Sequence, residues 1–434
     1  STKTITFRVG NTFNYTTSVT GTWARFTLTG TSPITRVDLL SYGDRQVQVT
    51  DLLVWGAQLN RGSTALPYTA TTTAPYTLTT ARGLLIEEQR TNLATFSNTF
   101  SDASWFAFGT KNVAASAIIS PEGVANASTV TDSSAVAFDG IGKSVVVAAD
   151  GTTYNSSVYV LKTSSGTSST FGINLQITGG TAVSAQPRIN TDTGAVLSGT
   201  ATVTNAGLWW RVACSVTNNS SVGNTTLTMA IYPATAAYNS GTDSAAATGS
   251  ATIYGAQIET GAFATSYIPT VGSTATRNAD SASITTLTPW FNAAAGTMFG
   301  AGTRMSVLAA TGSIFEIGDG TNNNRFLMYA DSPVPNGAYL VGNGGVTQAA
   351  ISVSNVFPAN TAGKIASAYA VNDFQQASNG TLGLADTSGT LPTVTTAYIG
   401  KVGSSTAGQW NGWISSIRYY PTRLPNTSLQ SITV

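Results

Sequence analysis

The sequence offers few side chains that could do acid–base or metal chemistry. It contains no histidine, the commonest general base and metal ligand, and a single cysteine, Cys214. A Ser-His-Asp triad, a histidine-containing zinc site, an intrachain disulfide and a cysteine-cluster metal site are therefore excluded. Cys214 lies in an alternating apolar run, 211–216, which predicts a small buried strand residue.

The densest charge cluster lies in the segment 83–93, which contains Glu87, Glu88 and Arg90. Two carboxylates that flank a groove could hydrolyse a glycan. Adjacent residues of an extended segment point to opposite faces, however, so the cluster favours an inter-domain connector with a local ion pair. The chain has 19 acidic residues, and few are clustered, so the sequence identifies no pair of catalytic carboxylates. We expect no enzymatic activity.

A loop rich in acidic and amide side chains, 318–325, offers the oxygen ligands that calcium takes. Asp319 is its carboxylate, with Glu316 nearby, and Asn372-Asp373 and Asp386 could add ligands only if the fold brings them close. A tight calcium site usually carries more negative charge, so a polar hairpin turn is the favoured interpretation. Asp319 is kept as the candidate metal ligand, and no other cofactor is expected.

Aromatic and amide side chains in the last quarter of the chain could bind a sugar. Such binding needs an exposed ring against the C–H face of the sugar, with amides and carboxylates for its hydroxyl groups. The candidate glycan ligands are Trp410, Asn411, Trp413, Tyr329, Asn323, Asn324 and Asp373. Trp410, in a turn beside Gln409, is expected to be exposed, whereas one of Trp413 and Ile414 is expected to be core. Core or subunit packing is the alternative for each aromatic residue.

The composition indicates a folded protein with a polar but uncharged surface. Charged residues make up 9% of the chain, against roughly 25% in ordinary soluble proteins, and the net charge is +1. Hydrophobic residues make up 42%, far more than a disordered chain carries. A neutral surface gives no steering toward phosphate, so nucleic-acid binding is not expected. Membrane insertion is not expected either, because no apolar run approaches roughly 18 residues.

One stretch of sequence occurs twice, which indicates that one β-domain type is used twice. Its shared core is Trp55-Gly-Ala-Gln-Leu59 in the first copy and Tyr254-Gly-Ala-Gln-Ile258 in the second. A tyrosine follows each core at the same distance, and each core is preceded by a Gly-x-Trp-x-Arg motif, at Gly21–Arg25 and Gly207–Arg211. Trp23, Trp209 and Trp210 belong to these motifs and are interpreted as mainly structural.

Alternating hydrophobicity and Gly-rich turns predict strands almost throughout, with one short helical turn at 424–432. The predicted fold class is all-β, with tandem β-sandwiches: a partial jelly roll over residues 1–82, a complete jelly roll over 83–280 and a second sandwich over 281–434. The partial domain matches only the second half of the next one. We expect another chain or neighbouring domains to complete it, unless the missing half precedes Ser1.

The motifs in residues 83–280 resemble a carbohydrate-binding-module-like jelly roll of tailed-bacteriophage structural proteins. They are Gly83-Leu-Leu-Ile-Glu-Glu-x-Arg-Thr-Asn-Leu93, Phe96-Ser-x-x-Phe-x-x-x-x-Trp105, Gly207-x-Trp-x-Arg-Val212, Tyr254-Gly-Ala-Gln-Ile-Glu259 and Ser266-Tyr-Ile-Pro-Thr270. The part after residue 280 resembles a concanavalin A/laminin-G-like domain, on Phe315-Glu-Ile-Gly-Asp-Gly320 and Asn411-Gly-Trp-Ile-Ser-Ser-Ile-Arg-Tyr-Tyr420.

The resemblance implies a non-enzymatic virion protein of the tail fibre or spike type that adheres to host surface glycans. It further implies a homo-oligomer, with a trimer favoured, that contacts other virion proteins and host cell-surface polysaccharide. Such a protein is assembled in the bacterial cytoplasm and exposed on the particle. A capsid decoration or adaptor protein with a purely structural role is the alternative, and a polysaccharide depolymerase is a third reading.

Overall fold

The computed structural model of the chain describes residues 3–9, 13–19, 37–40, 83–164, 166–306, 311–405 and 408–434. Strands account for nearly all regular structure in these ranges, which confirms the predicted all-β fold class. The chain divides into two compact units, Ser1–Thr79 and Thr80–Val434. Within the described ranges, no helix has the length and apolar character needed to cross a bilayer.

The described residues of the first unit form a small antiparallel sheet. Its strands are β1 (Lys3–Val9), β2 (Phe13–Val19) and β3 (Val37–Leu40), in the order β2-β1-β3. The predicted strands at 4–9 and 37–40 are confirmed. The predicted strands at 23–28 and 47–55, and the first copy of the repeat with Trp23, lie outside the described residues.

The second unit contains two β-sandwiches. The strands up to residue 284 are β4 (Leu84–Ile86), β5 (Arg90–Asn92), β6 (Phe106–Phe108), β7 (Val113–Ser116), β8 (Ala127–Asp132), β9 (Gly140–Val146), β10 (Thr153–Leu161), β11 (Thr170–Thr178), β12 (Val183–Ala185), β13 (Arg188–Ile189), β14 (Val196–Ser198), β15 (Thr202–Ala206), β16 (Trp209–Thr217), β17 (Thr226–Ala236), β18 (Gly249–Thr260), β19 (Ala275–Arg277) and β20 (Ala282–Ile284). The remaining elements are β21 (Ala295–Arg304), β22 (Gly312–Gly318), β23 (Arg325–Ala330), β24 (Gly337–Asn343), β25 (Val346–Val353), β26 (Ala362–Ala370), β27 (Asp373–Ser378), β28 (Thr381–Leu382), β29 (Thr396–Ile399), β30 (Gly412–Tyr420) and α1 (Asn426–Thr433).

The first sandwich packs two antiparallel sheets face to face. The front sheet has the order β15-β16-β10-β18-β8-β7, and the back sheet has the order β14-β13-β11-β17-β9-β6, with β12 paired to β11. Alternation explains the core, because Phe171, Ile173, Leu175 and Ile177 of β11 all face inward and are all fully buried. Each such side chain stabilises the fold by about 1.5–3 kcal/mol relative to exposure. Cys214 joins this core from β16, as predicted, and burial raises the pKa of its thiol to about 11.

The second sandwich also has two six-stranded sheets. Their orders are β20-β29-β22-β23-β24-β25 and β28-β27-β26-β21-β30-β4. The helix α1 confirms the helical turn expected near the C-terminus. Its Leu429 packs against three alanine residues of β26 and β27, Ala366, Ala368 and Ala377. These alanines lie on the outer face of the sheet that contains β26 and β27.

The position of β4 differs from the predicted division at residue 280. Leu84 to Ile86 pair with Ile414 to Gly412 of β30, so this segment lies in the second sandwich. The next strand, β5, pairs instead with β19. The chain therefore passes from one sandwich to the other between residues 86 and 90, a non-local pairing that alternation of side chains does not reveal.

The crossing segment is fixed by ion pairs and hydrogen bonds, as expected for a connector. Glu87 Oε2 lies 3.1 Å from Arg277 Nη1, and its Oε1 accepts the Ser266 N–H at 2.8 Å. Glu88 pairs with Arg90 and exchanges two bonds with Asn411: its N–H donates to Oδ1 at 2.9 Å, and its Oε2 accepts from Nδ2 at 2.9 Å. Both carboxylates are therefore engaged in contacts of the crossing segment, which we call the joint between the sandwiches.

Replacing Asn411 by alanine is expected to lower the free energy of unfolding by about 2–4 kcal/mol. The change leaves the Glu88 N–H and carboxylate without their partner. It also places alanine at a positive φ of 53°, which asparagine tolerates better. Urea unfolding followed by tryptophan fluorescence measures the effect. Asn323→Ala is the control, because that side chain is exposed and its loss should change stability by less than about 0.5 kcal/mol; equal effects would show that the joint does not matter.

Candidate functional site

Trp410 is completely buried, so the prediction that it is exposed is wrong. Its indole packs edge-on against Phe357 with ring centroids 4.9 Å apart, and its Nε1–H donates to the Trp413 carbonyl at 3.2 Å. Gly302 makes the room, because a Cβ there would lie 3.1 Å from the indole. A ring in this position stabilises the second sandwich and cannot stack on a sugar.

The other candidates near it divide between core and surface. Asn411 is 1% exposed and bonded to Glu88, so its amide is not available to a ligand. Ile414 lies in the core while Trp413 is partly exposed, which confirms that one of the two is core.

The remaining candidates do not form one cluster. Tyr329 is partly exposed on β23, and Asn323 and Asn324 lie in the turn between β22 and β23. Asp373 begins β27 in the other sheet and pairs with Arg423 at 2.7 Å. That these residues bind a glycan stays a prediction.

The loop around Asp319 is closed by its own hydrogen bonds. The carboxylate accepts the Thr321 N–H at 2.8 Å, the Thr321 hydroxyl at 2.6 Å and the Asn324 amide at 2.8 Å. This is the arrangement of a polar turn. In the ranges that the structure describes, no three acidic, histidine or cysteine side chains come together as a metal site would require.

A different group of aromatic residues occupies the outer side of the front sheet. Trp209, Tyr254, Tyr159 and Tyr267 form a cluster of their own, separate from the core between the sheets. We call these four residues, together with Arg211, the aromatic face. Strand register puts Thr204, Arg211, Tyr159 and Tyr254 side by side in one row across β15, β16, β10 and β18.

A bulge at Gly255 builds this row. Tyr254 pairs with Tyr159 and Gln257 with Ser157, so two residues of β18 oppose one of β10. Gly255 has a φ of +62°, which glycine adopts without strain. Without the extra residue, Tyr254 and Gln257 would point to opposite faces of the sheet. The Tyr-Gly-Ala-Gln motif is therefore the sequence of a bulged strand that places both side chains on the outer side.

The rings contact one another and are fixed at their polar ends. The Tyr159 and Tyr254 ring centroids are 6.0 Å apart, and those of Tyr254 and Tyr267 are 5.3 Å apart. The Tyr267 hydroxyl lies 2.7 Å from the Ser97 hydroxyl, and the Trp209 Nε1–H donates to the Ile119 carbonyl at 3.2 Å. These bonds hold the rings in place, which lowers the entropy lost when a ligand binds.

The phenol groups of Tyr254 and Tyr267 stay neutral in the ordinary pH range. Burial raises the pKa of Tyr267 to about 12. Burial, followed by a hydrogen bond to Glu122, raises the pKa of Tyr254 well above its ordinary value. Glu122 itself is exposed, so its carboxylate is open to the hydroxyl groups of a ligand.

Arg211 lies between Thr204 and Tyr159 in this row. Its guanidinium carbon is 5.3 Å from the Tyr159 ring centroid, and its Nη2–H donates to the Ser157 hydroxyl at 3.0 Å. Tyr159, Tyr267 and Arg211 are all partly exposed, whereas Trp209 and Tyr254 are buried. These three partly exposed residues are therefore the members of the aromatic face that a ligand can reach.

Sequence reasoning missed this site although a signal was present. Trp209 is buried, as expected of a structural residue, but Arg211, Tyr254 and Tyr267 were not singled out as ligands. The same residue types recur in the first copy of the repeat, as Trp23, Arg25, Trp55 and Tyr68. Repetition of these arginine and aromatic residue types in both copies of the sequence could have pointed to the face.

No protein-family model matches the chain, and no curated protein matches it. Among solved structures, the Ruminococcus gnavus IT-sialidase CBM40 is 16% identical, with 32% of this chain and 83% of that chain covered and a TM-score of 0.29. The mouse laminin alpha1 chain, domains LG4-5, is 10% identical, with 66% and 86% covered and a TM-score of 0.25. Tailspike protein 2 of Escherichia coli O157:H7 bacteriophage CAB120 is 12% identical, with 33% and 22% covered and a TM-score of 0.25. Likeness of this degree carries no argument about ligand or activity.

Proposed function

We propose that this chain is a non-enzymatic, glycan-binding structural protein, and that the aromatic face of its first sandwich is the binding site. The observation that carries the proposal is the cluster of Trp209, Tyr254, Tyr159 and Tyr267 on the face of the front sheet that points away from the core between the two sheets. Trp209 and Tyr254 form its buried base, and the partly exposed Tyr159 ring lies beside the partly exposed Arg211 cation. A sugar ring would stack on Tyr159 while Arg211 and Glu122 bond its hydroxyl groups.

The setting that we propose is a tailed-phage virion, with the chain as a tail fibre or spike appendage attached to host surface polysaccharide. The sequence resemblance and the uncharged surface support this setting. We further propose a homo-oligomer, with a trimer favoured, on the basis of the sequence resemblance and of the partial repeat, which matches only half of the next domain. Light scattering on the purified chain tests the assembly, and a stable monomer at micromolar concentration would exclude it.

A second candidate is a purely structural role in capsid decoration or as an adaptor. The burial of Trp410 and Asn411 favours it, because the residues expected to bind sugar in the second sandwich serve packing and the joint instead. A depolymerase is the third candidate, and release of reducing ends from host polysaccharide would support it. Glu87 and Glu88 do not, because both are engaged in the joint.

Replacing Tyr159 by alanine is expected to lower the affinity for glycans at least tenfold without unfolding the chain. The change removes a partly exposed ring of the aromatic face. Loss of an aromatic side chain on which a nucleic-acid base stacks costs about 1–3 kcal/mol of binding free energy, and we expect a similar cost for a sugar ring. A glycan array followed by calorimetric titration measures it. Tyr238→Ala is the matched control, since Tyr238 is also exposed but lies outside the aromatic face. If neither the unmodified chain nor the control binds any glycan, the purely structural role is the better account.

A further inference from the structure

We infer that the ligand of the aromatic face is a sugar that carries a carboxylate group, and that Arg211 is the residue that selects it. The inference rests on the proposed function, since it names the class of glycan for the same site. Three observations carry it: Arg211 has no acidic oxygen of the described residues within 4.0 Å, its guanidinium lies over an aromatic ring, and a carboxylate adjoins Tyr254 in the same row.

Arg211 differs from most of the arginines whose side chains the structure describes, because no described carboxylate oxygen lies within 4.0 Å of it. Five others each lie within 4.0 Å of an acidic oxygen: Arg90, Arg188, Arg277, Arg325 and Arg423. Among the residues that the structure describes, no acidic oxygen lies that close to Arg211. Glu259, which is on the same side of the sheet, is fully buried and accepts instead from Thr265 and Gln257. Glu259 attracts Arg211 electrostatically but forms no ion pair with it, so an incoming carboxylate would add the direct contact that Arg211 lacks.

The donors of Arg211 are largely unused by the protein. One bond, from Nη2 to the Ser157 hydroxyl at 3.0 Å, ties the guanidinium to the sheet. Its Nε is buried and has no hydrogen-bond partner. A guanidinium presents five N–H donors in a planar fork that fits a carboxylate through two parallel bonds. The guanidinium also lies over the Tyr159 ring, with its carbon 5.3 Å from the ring centroid.

The charge of Glu122 sets the orientation of the ligand. Glu122 adjoins Tyr254, which lies two strands away from Arg211 in the row. An acidic sugar bound with its carboxylate toward Arg211 would present hydroxyl groups to Glu122, which accepts them. The reverse orientation would bring two carboxylates together, which is unfavourable. A neutral sugar has no group that uses the charge of Arg211 in this way.

The test compares acidic glycans with their carboxyl-reduced forms on the full chain. An array of uronic-acid and nonulosonic-acid oligosaccharides identifies a binding probe, and reduction of its carboxyl group to an alcohol gives the matched ligand. We expect titration to show at least tenfold weaker binding of the reduced form. The affinity for the acidic form should also fall several-fold as the ionic strength rises from 0.05 to 0.5 M.

Variants assign the effect to Arg211. Arg211→Gln should lower the affinity for the acidic glycan at least tenfold and leave the affinity for the reduced form nearly unchanged. Arg211→Lys should recover part of the loss, since it keeps the charge without the fork. Arg418→Gln is the matched control, because Arg418 is an exposed arginine that also lies over an aromatic ring, Phe299, but in the second sandwich; it should change neither affinity.

The outcomes separate the inference from the function on which it rests. Equal binding of acidic and reduced glycans, or binding of neutral glycans alone, would overturn the inference and leave glycan binding at the aromatic face intact. Failure of every glycan on the array would overturn the proposed function itself. Because the acidic and reduced ligands are compared on the unmodified chain, the first result does not depend on whether any variant folds.

Discussion

As the pH rises from 4.5 to 8, the free energy of unfolding of the Glu316→Gln variant is expected to increase by about 3 kcal/mol relative to that of the unmodified chain. Glu316 is fully buried on β22. Its Oε1 accepts the Gly403 N–H at 3.2 Å, but its Oε2 has no hydrogen-bond partner, and Arg325 Nη1 lies 4.0 Å away. Burial raises the pKa of this carboxyl to about 7, against the attraction of Arg325. The native fold therefore favours the neutral acid.

The sign of the pH dependence follows from the raised pKa. Between the ordinary value of 4.5 and about 7, the native state holds a proton at Glu316 that the unfolded state has released. Stability from this group is therefore fully present below pH 4.5 and is lost as the pH rises to about 7. A shift of this size corresponds to about 3 kcal/mol, at 1.36 kcal/mol for each pH unit.

The measurement is urea unfolding of both proteins at several pH values. Glutamine cannot ionise, so the free energy of unfolding of the variant should lack the decline with pH that is due to Glu316. Any cost of burying the amide is the same at every pH and does not affect this comparison. The difference between the two proteins isolates Glu316 from all other titrating groups. Parallel curves for Glu316→Gln and the unmodified chain would mean that Glu316 is ionised in the native state well below pH 7.

The fold class could be predicted from the sequence because strand alternation is local. Phe171, Ile173, Leu175 and Ile177 show the two-residue period directly, and their burial follows from it. The position of β4 could not be predicted, because its partner β30 lies more than three hundred residues away, and a three-residue strand carries too little pattern to identify it.

The candidate site shows the same limit at the level of single side chains. The polar residues next to Trp410 in the sequence indicate exposure. The ring is buried instead, because Gly302, more than a hundred residues earlier in the chain, leaves space for it. For the aromatic face, the spacing of Tyr254 and Gln257 indicates opposite sides of a regular strand. Only the bulge at Gly255 puts them on one side, and glycine inside a strand motif is the sequence sign of such a bulge.

Replacing Asn92 by alanine is expected to lower the free energy of unfolding by about 3–5 kcal/mol, the largest loss that we expect from one side chain. Asn92 ends β5 and is fully buried. Its Nδ2 donates to the Ala256 carbonyl at 3.2 Å and the Ile268 carbonyl at 2.8 Å. Its Oδ1 accepts the Ala94 and Ile258 N–H groups, both at 3.0 Å. Alanine would leave four buried backbone groups unpaired, and water has little access to replace the bonds.

Asn218→Ala provides the graded comparison within the same sandwich. Asn218 is also buried, but its amide makes two bonds, to the Ala148 and Asn224 carbonyls, and its Oδ1 has no partner. Its loss should cost about half as much as that of Asn92, because half as many backbone groups lose a partner. Equal losses would indicate that cavity volume, which the two substitutions share, determines the cost. A larger loss at Asn92, with faster hydrogen exchange at the Ile258 amide, would show that the Thr-Asn-Leu motif stabilises the bulged end of β18 through hydrogen bonds. The bulge that builds the aromatic face would then depend on a residue that no ligand touches.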